Sequence, residues 1–75
     1  MYESKDYQGA IADYDKAIDV NPKYSRSYNN RGNAKYDLNN KRGACSDYKK
    51  AVSLGNQGTT QWLRSEGGAW CRNMK

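Results

Sequence analysis

From Tyr7 onward the apolar positions fall at Tyr7, Ala10, Ile11, Tyr14, Ala17 and Ile18. Steps of three and four place them on one stripe of an amphipathic α-helix. Asp6 stands where an N-cap or first-turn acid belongs. Asn21-Pro22 ends the helix, because the residue before proline is pushed out of the α region. A second helix is expected from about Ser25 to Leu38, with Tyr28, Gly32, Tyr36 and the stem of Lys35 facing inward. Asn39-Asn40 reads as a turn, since Asn tolerates left-handed backbone and caps a following helix. The third helix, about Lys41 to Leu54, carries Ala44, Cys45, Tyr48, Ala51 and Val52, with Gly55 as its C′ residue. A fourth begins near Thr59, capped by Thr59 or Thr60, and carries Trp62 and Leu63. Gly67-Gly68 is unfavourable inside a helix and ends or breaks it. Ala69 to Lys75 is then a short tail holding Trp70 and Cys71.

The first and third helices are copies of one another. Gly9-Ala10-x-x-Asp13-Tyr14-x-Lys16-Ala17 recurs as Gly43-Ala44-x-x-Asp47-Tyr48-x-Lys50-Ala51, each residue 34 positions after its counterpart. A fixed period of this size marks one supersecondary unit used twice, and it is the period of a helix–turn–helix repeat. Two helices approach closely only where side chains are small. Gly32, Ala44 and Ala51 are the expected contact points, with Ala10 and Ala17 one unit earlier and Tyr filling the gaps beside them. Tyr14, Ala17, Tyr48 and Ala51 are expected to be largely buried. The fold class is all-α: a helix–turn–helix α-solenoid of three to four helices in a single domain over residues 1–75. Residues 1–22 make a partial first repeat, 25–56 a complete one, 59–66 a capping helix and 67–75 the tail. In this register Met1 to Glu3 is only the last turn of a preceding helix.

These residues resemble the tetratricopeptide repeat. Tyr28 fills the family's aromatic slot on the repeat's first helix, helix A, and Gly32 its Gly slot. Ala44, Tyr48 and Ala51 fill the slots of the second helix, helix B, as Ala10, Tyr14, Ala17 and Pro22 do one unit earlier. The stretches Tyr28-Asn-Asn-Arg-Gly-Asn-Ala-Lys and Ala51-Val-Ser-Leu-Gly-Asn are similar to those of bacterial members. Arg31 replaces the usual Leu, Lys35 stands where Tyr is usual, and Asn56 replaces the inter-repeat Pro. The resemblance implies a protein–protein interaction module whose A helices line a concave groove. Carried over by position, the groove residues are Arg26, Asn29, Asn30, Asn33, Tyr36 and Asp37. In co-chaperone members, basic and Asn residues at the positions of Arg26 and Asn30 bind a partner's C-terminal carboxylate. A guanidinium fork suits a carboxylate, and an amide suits a peptide backbone. The full clamp draws on flanking A helices, and the fourth helix offers only Thr60, Leu63 and Arg64 nearby.

Composition narrows the rest. Leu, Ile and Val are few and Phe is absent, so seven Tyr and two Trp must supply much of the buried area. Thirteen basic and eight acidic residues leave a net charge of +5. The charges are interspersed, which gives weak attraction to anions without a nucleic-acid footprint. Asp13/Lys16 and Asp47/Lys50 read as surface i, i+3 pairs. There is no His, so no Cys–His nucleophile, and two cysteines alone make no zinc site. No catalytic residues and no cofactor are expected. No signal-peptide core or membrane-spanning stretch is present, and the default setting is cytoplasmic. One disulfide is allowed by count, but Cys45, where the first copy has Ile11, reads as a buried reduced thiol, and Cys71 as exposed in the tail. Trp62 and Trp70 read as packing in the cap rather than as stacking platforms for bases. The expected partner is a protein or peptide. The rival readings are a homodimer covering the stripe of the first helix, and weak nucleic-acid binding through net charge.

Overall fold

A computed structural model of the chain describes residues 6–74; Met1 to Glu3, expected as the end of a preceding helix, and Lys75 lie outside them. Five α-helices follow in order: α1 (Tyr7–Val20), α2 (Ser25–Asp37), α3 (Lys41–Ser53), α4 (Gln57–Arg64) and α5 (Ala69–Arg72). A 3-10 turn, Glu66–Gly68, joins the last two. No strand occurs among the described residues. The fold is all-α, and packing runs largely between neighbours: α1 on α2, α2 on α3, and α3 on both α4 and α5.

The helix ends repeat a small vocabulary. Asp6, Asn40 and Asn56 are the N-caps of α1, α3 and α4. Each side-chain oxygen accepts the backbone N–H three residues on, from Gly9 at 3.0 Å, Gly43 at 3.0 Å and Thr59 at 2.9 Å. Such a cap satisfies one of the donors that a helix N-terminus leaves orphaned. Leu38-Asn39-Asn40 and Leu54-Gly55-Asn56 end α2 and α3 in the same way. Asn39 (φ 66°) and Gly55 (φ 95°) are left-handed. Asn40 N–H reaches Lys35 O at 2.8 Å and Asn39 N–H reaches Tyr36 O at 2.9 Å; Asn56 to Ala51 (3.0 Å) and Gly55 to Val52 (2.9 Å) are the equivalents. This is the paired bonding of a Schellman motif. In both turns the residue that closes one helix also caps the next, so connections of three residues suffice.

The expected start of α4 near Thr59 is corrected by this device. Asn56, read as a substitute for proline, is instead the cap, and the helix begins at Gln57. Thr59 is buried within its first turn. The expected tail is also corrected: Ala69 to Arg72 is helical and Cys71 is fully buried.

Residues that match across the repeat do not all share burial. Ala10 and Ala44 are both buried. Tyr48 and Ala51 are buried, as expected, whereas Tyr14 is half-buried and Ala17 is exposed, against expectation. The cause is the number of neighbours. Among the described residues α1 has only α2 substantially against it, whereas α3 is covered by α2 and also by α4 and α5. In a repeat fold each unit gains cover only from the units beside it.

At the α2–α3 contact the close approach is set by Gly32. A Cβ there would stand 2.8 Å from Tyr48 Cε1 and 3.2 Å from the Ala44 carbonyl. Ala34, Ala44 and Ala51 complete a contact of small side chains beside the Tyr28 and Tyr48 rings. Tyr36, expected to face inward, is instead 42% exposed. It lies one residue, about 100° of helix rotation, beyond Lys35, whose half-buried stem marks the edge of the contact.

Candidate functional site

The exposed Tyr36 ring opens onto a groove of about 540 Å3. One wall comes from α2, where Asn29, Asn33 and Tyr36 share a face at i, i+4 and i+7. Opposite lie Asn56, Gly58, Thr59 and Trp62 from the start and middle of α4. Gly67 and Trp70 close one end, and Tyr48 of α3 contributes from below. No lining residue is charged.

Hydrogen bonds tie the walls together. Thr59 Oγ1 donates to Asn29 Oδ1 at 2.6 Å, linking α4 to α2. The Tyr48 hydroxyl donates to Asn33 Oδ1 at 2.6 Å, linking α3 to α2. The rings form one cluster. Trp62 lies 4.9 Å from Tyr48 and 5.9 Å from Trp70, both near edge-to-face; Trp70 lies 5.4 Å from Tyr36 and 6.5 Å from Tyr48, between centroids. These spacings are those of favourable ring pairs. The two Trp residues are therefore packed, as expected, but only half-buried, and their remaining surface faces the groove.

Trp70 is held in place by its own short helix. Arg72 Nη1 donates to Leu63 O at 2.6 Å and Ser65 O at 3.1 Å. Gly68 lets the turn press on α4, since a Cβ there would stand 2.6 Å from Leu63 Cα. Above all, Cys71 is joined to Cys45 of α3 by a disulfide. The expectation of a reduced Cys45 and an exposed Cys71 is thereby overturned. The tail folds back over α3 and brings the two sulfurs together, an encounter between positions 26 residues apart that local pattern does not encode.

Behind the groove α2 is clamped by charge. Arg31 Nε and Nη2 bond both oxygens of Asp47 at 2.9 and 2.8 Å, and Nη1 reaches Asp15 on α1 at 2.7 Å. Lys35 Nζ lies 3.2 Å from Asp47. Donating to the Asp47 carboxylate raises the Arg31 pKa above the usual arginine range; partial burial opposes this, and Asp15 adds to it. Asp47, expected to pair with Lys50 on the surface, is buried and faces the other way. Lys50 instead sits 5.9 Å over the Tyr28 ring. Asp13 and Lys16 are exposed.

Of the residues carried over by position, the structure brings Asn29, Asn33 and Tyr36 to the groove. Arg26 and Asp37 are exposed at opposite ends of α2 and Asn30 is half-buried, and none of these three lines it. Sequence reasoning did not name Asn56, Thr59, Trp62 or Trp70 as groove residues. For Asn56 a signal was available, because its place after Leu54-Gly55 matches that of the cap Asn40 after Leu38-Asn39. For Trp70 there was none short of the disulfide. Among the described residues no cluster of His, Cys, Asp and Glu could hold a metal ion, and no helix is long and apolar enough to cross a membrane.

Stacked helix hairpins with a groove along their first helices define a helical-repeat scaffold. Two family models match the chain, "TPR repeat" over residues 1–39 and "Tetratricopeptide repeat" over residues 25–55. The chain belongs to the tetratricopeptide repeat family. It is 39% identical over 54 residues to "Tetratricopeptide repeat protein 36" of Danio rerio, a match that covers 72% of this chain and 29% of that protein. The chain thus spans under a third of that relative's length. No solved structure matches it. Repeats of this family generally mediate protein–protein interaction.

Proposed function

We propose that this chain is an interaction module whose groove between α2 and the α4–α5 segment receives an extended peptide or a partner helix. One observation carries the reading: Asn29, Asn33 and Tyr36 face a common cleft, together with two half-exposed Trp rings. Rigid aromatic rings beside amides are the side chains that anchor interfaces at low ordering cost. Arg26, Asn30 and Asp37 lie on α2 outside this lining, and their contribution is expected to be smaller. Peptides selected from a random display library against the chain should shift the side-chain resonances of Asn29, Asn33 and Trp70. Tyr36→Ala should weaken them about tenfold with the far-ultraviolet circular dichroism unchanged, because that side chain is largely outside the core. Shifts confined to α1 or to the outer face of α3 would refute the reading.

A second reading, association of two copies through α1, draws on a separate observation. Val20 is 86% exposed and Ala17 is exposed, while Ile11, Tyr14 and Ile18 are only half-buried. Apolar surface of this kind tends to find a partner, and a symmetric pair is the simplest closed solution. Sedimentation equilibrium should then show mass rising with concentration, and a Val20→Lys variant should stay monomeric. A parent chain that is monomeric throughout removes this reading.

A further inference from the structure

A second cavity, of about 240 Å3, opens beside the Cys45–Cys71 bridge. Arg42, Cys45, Ser46 and Lys49 of α3 line it. Their spacing, i, i+3, i+4 and i+7, puts them on one face of that helix. Met74, from beyond α5, completes the lining. The charge around it is one-sided. Between residues 38 and 74 the only acids are Asp47 and Glu66, against Lys41, Arg42, Lys49, Lys50, Arg64 and Arg72. Asp47 is buried and taken up by Arg31 and Lys35, and neither acid lines the cavity. Among the described residues Arg42 and Lys49 make no ion pair. The two sulfurs also differ in access. Cys71 is fully buried and absent from the cavity wall, whereas Cys45, 3% exposed, is part of it.

A disulfide opens when a thiolate attacks one sulfur and expels the other. Attack on Cys71 requires α5 to leave α3 first. Attack on Cys45 requires entry into the cavity past Met74, an unbranched side chain that moves aside readily. A thiolate entering between Arg42 and Lys49 has its charge compensated there. A carboxylate on the same molecule finds the second cation or the Ser46 hydroxyl. We infer that Cys45 is a site of thiol–disulfide exchange with small thiols that carry carboxylates. In this step the thiolate sulfur bonds to Cys45 Sγ, the Cys45–Cys71 bond breaks, and Cys71 leaves as a thiolate that takes a proton from water. The entering thiol is oxidised to the mixed disulfide and Cys71 is reduced, with no other reactant. The bond lost is the covalent tie of α5. Its neighbour Trp70 is a wall of the groove, so the modification reaches the groove through one short helix. The inference goes beyond the interaction-module reading and does not depend on what the groove receives.

The test treats the oxidised 75-residue chain at low salt with mercaptosuccinate, 2-mercaptoethanol and cysteamine, which are anionic, neutral and cationic. Bridge opening is followed by quenching with an alkylating agent and measuring mass. Each rate is divided by the same thiol's rate on an unstructured disulfide peptide, which removes differences in thiolate fraction and nucleophilicity. The scaled rate of mercaptosuccinate should exceed that of cysteamine by at least about tenfold. Raising the salt to about 1 M should erase most of that ratio. Peptide mapping should place the mixed disulfide on Cys45 and the alkyl label on Cys71. Arg42→Ser/Lys49→Ser, at two exposed sites, should lose the preference while keeping the parent's melting curve. The parent's own thiol ratio and adduct position decide the matter even if that variant melts early. An adduct on Cys71, equal scaled rates for the three thiols, or opening at the rate of global unfolding whatever the thiol would each overturn the inference. So would two free thiols in the chain after air oxidation.

Discussion

Reducing the Cys45–Cys71 bridge lowers the melting temperature by roughly 10–20 °C and loosens one wall of the groove. The bridge closes a loop of 26 residues. A cross-link of that span restricts the unfolded chain by about 3 kcal/mol. In a domain of this size, each kcal/mol moves the midpoint by roughly 4–8 °C, and total stability is only a few kcal/mol above that contribution. The local consequence is sharper than the global one. The helix α5 is four residues long, too short to hold itself. Without the bridge it keeps the Arg72 bonds to Leu63 and Ser65, which are exposed, and the ring contacts of Trp70. Treatment with a dithiol should therefore shift Trp fluorescence to the red and diminish the near-ultraviolet circular dichroism before α2 and α3 melt. Cys45→Ala/Cys71→Ala should reproduce both changes without reductant. A reduced protein with the parent's near-ultraviolet spectrum and midpoint would show that ring packing alone fixes α5.

What the sequence made readable follows from how locally each feature is encoded. The stripes of α1 and α3, the stop at Asn21-Pro22 and the turn at Asn39-Asn40 depend on residues within one or two helical turns, and each stands where pattern placed it. The repeat itself was legible because two copies of a motif sit in one short chain. Burial was less so. Ala17 and Ala51 occupy matching positions, yet one is exposed and the other buried, because what decides it is the helix packed alongside. The groove was half legible for the same reason. The residues on α2 could be named from position along one helix, whereas Trp70 reaches the site only through a fold-back pinned at Cys71. The Asp47–Lys50 pairing failed differently. Spacing allowed it, but a bidentate Arg31 from the facing helix is the stronger partner.

That Arg31–Asp47 pair carries the second large effect, and its sign depends on how it is broken. Asp47→Ala should cost about 3 kcal/mol or more. The carboxylate is only 5% exposed and accepts from both Arg31 and Lys35. Its removal leaves two cations one helical turn apart on α2 without their shared acid on α3, and Asp15, half in solvent, as the remaining acid. Breaking one side of a buried pair is costly because the surviving charge has lost its compensation. Removing both sides is a different matter. Ionic groups held out of water forfeit hydration that their mutual attraction only partly restores, so apolar replacements of similar volume are often neutral or stabilising. The family's usual residue at the position of Arg31 is Leu. The double variant Arg31→Leu/Asp47→Leu should therefore recover most of the stability lost in Asp47→Ala, and Arg31→Leu alone should fall between, since Lys35 still answers Asp47. Denaturant midpoints for the parent, the two single variants Arg31→Leu and Asp47→Leu, and the double variant give the coupling directly. Additive losses, with the double variant the least stable of the four, would mean that the pair contributes net stability beyond mutual compensation. Full recovery in the double variant would instead assign the pair to fixing the register of α2 between α1 and α3, since only a guanidinium in this place reaches Asp15 and Asp47 at once.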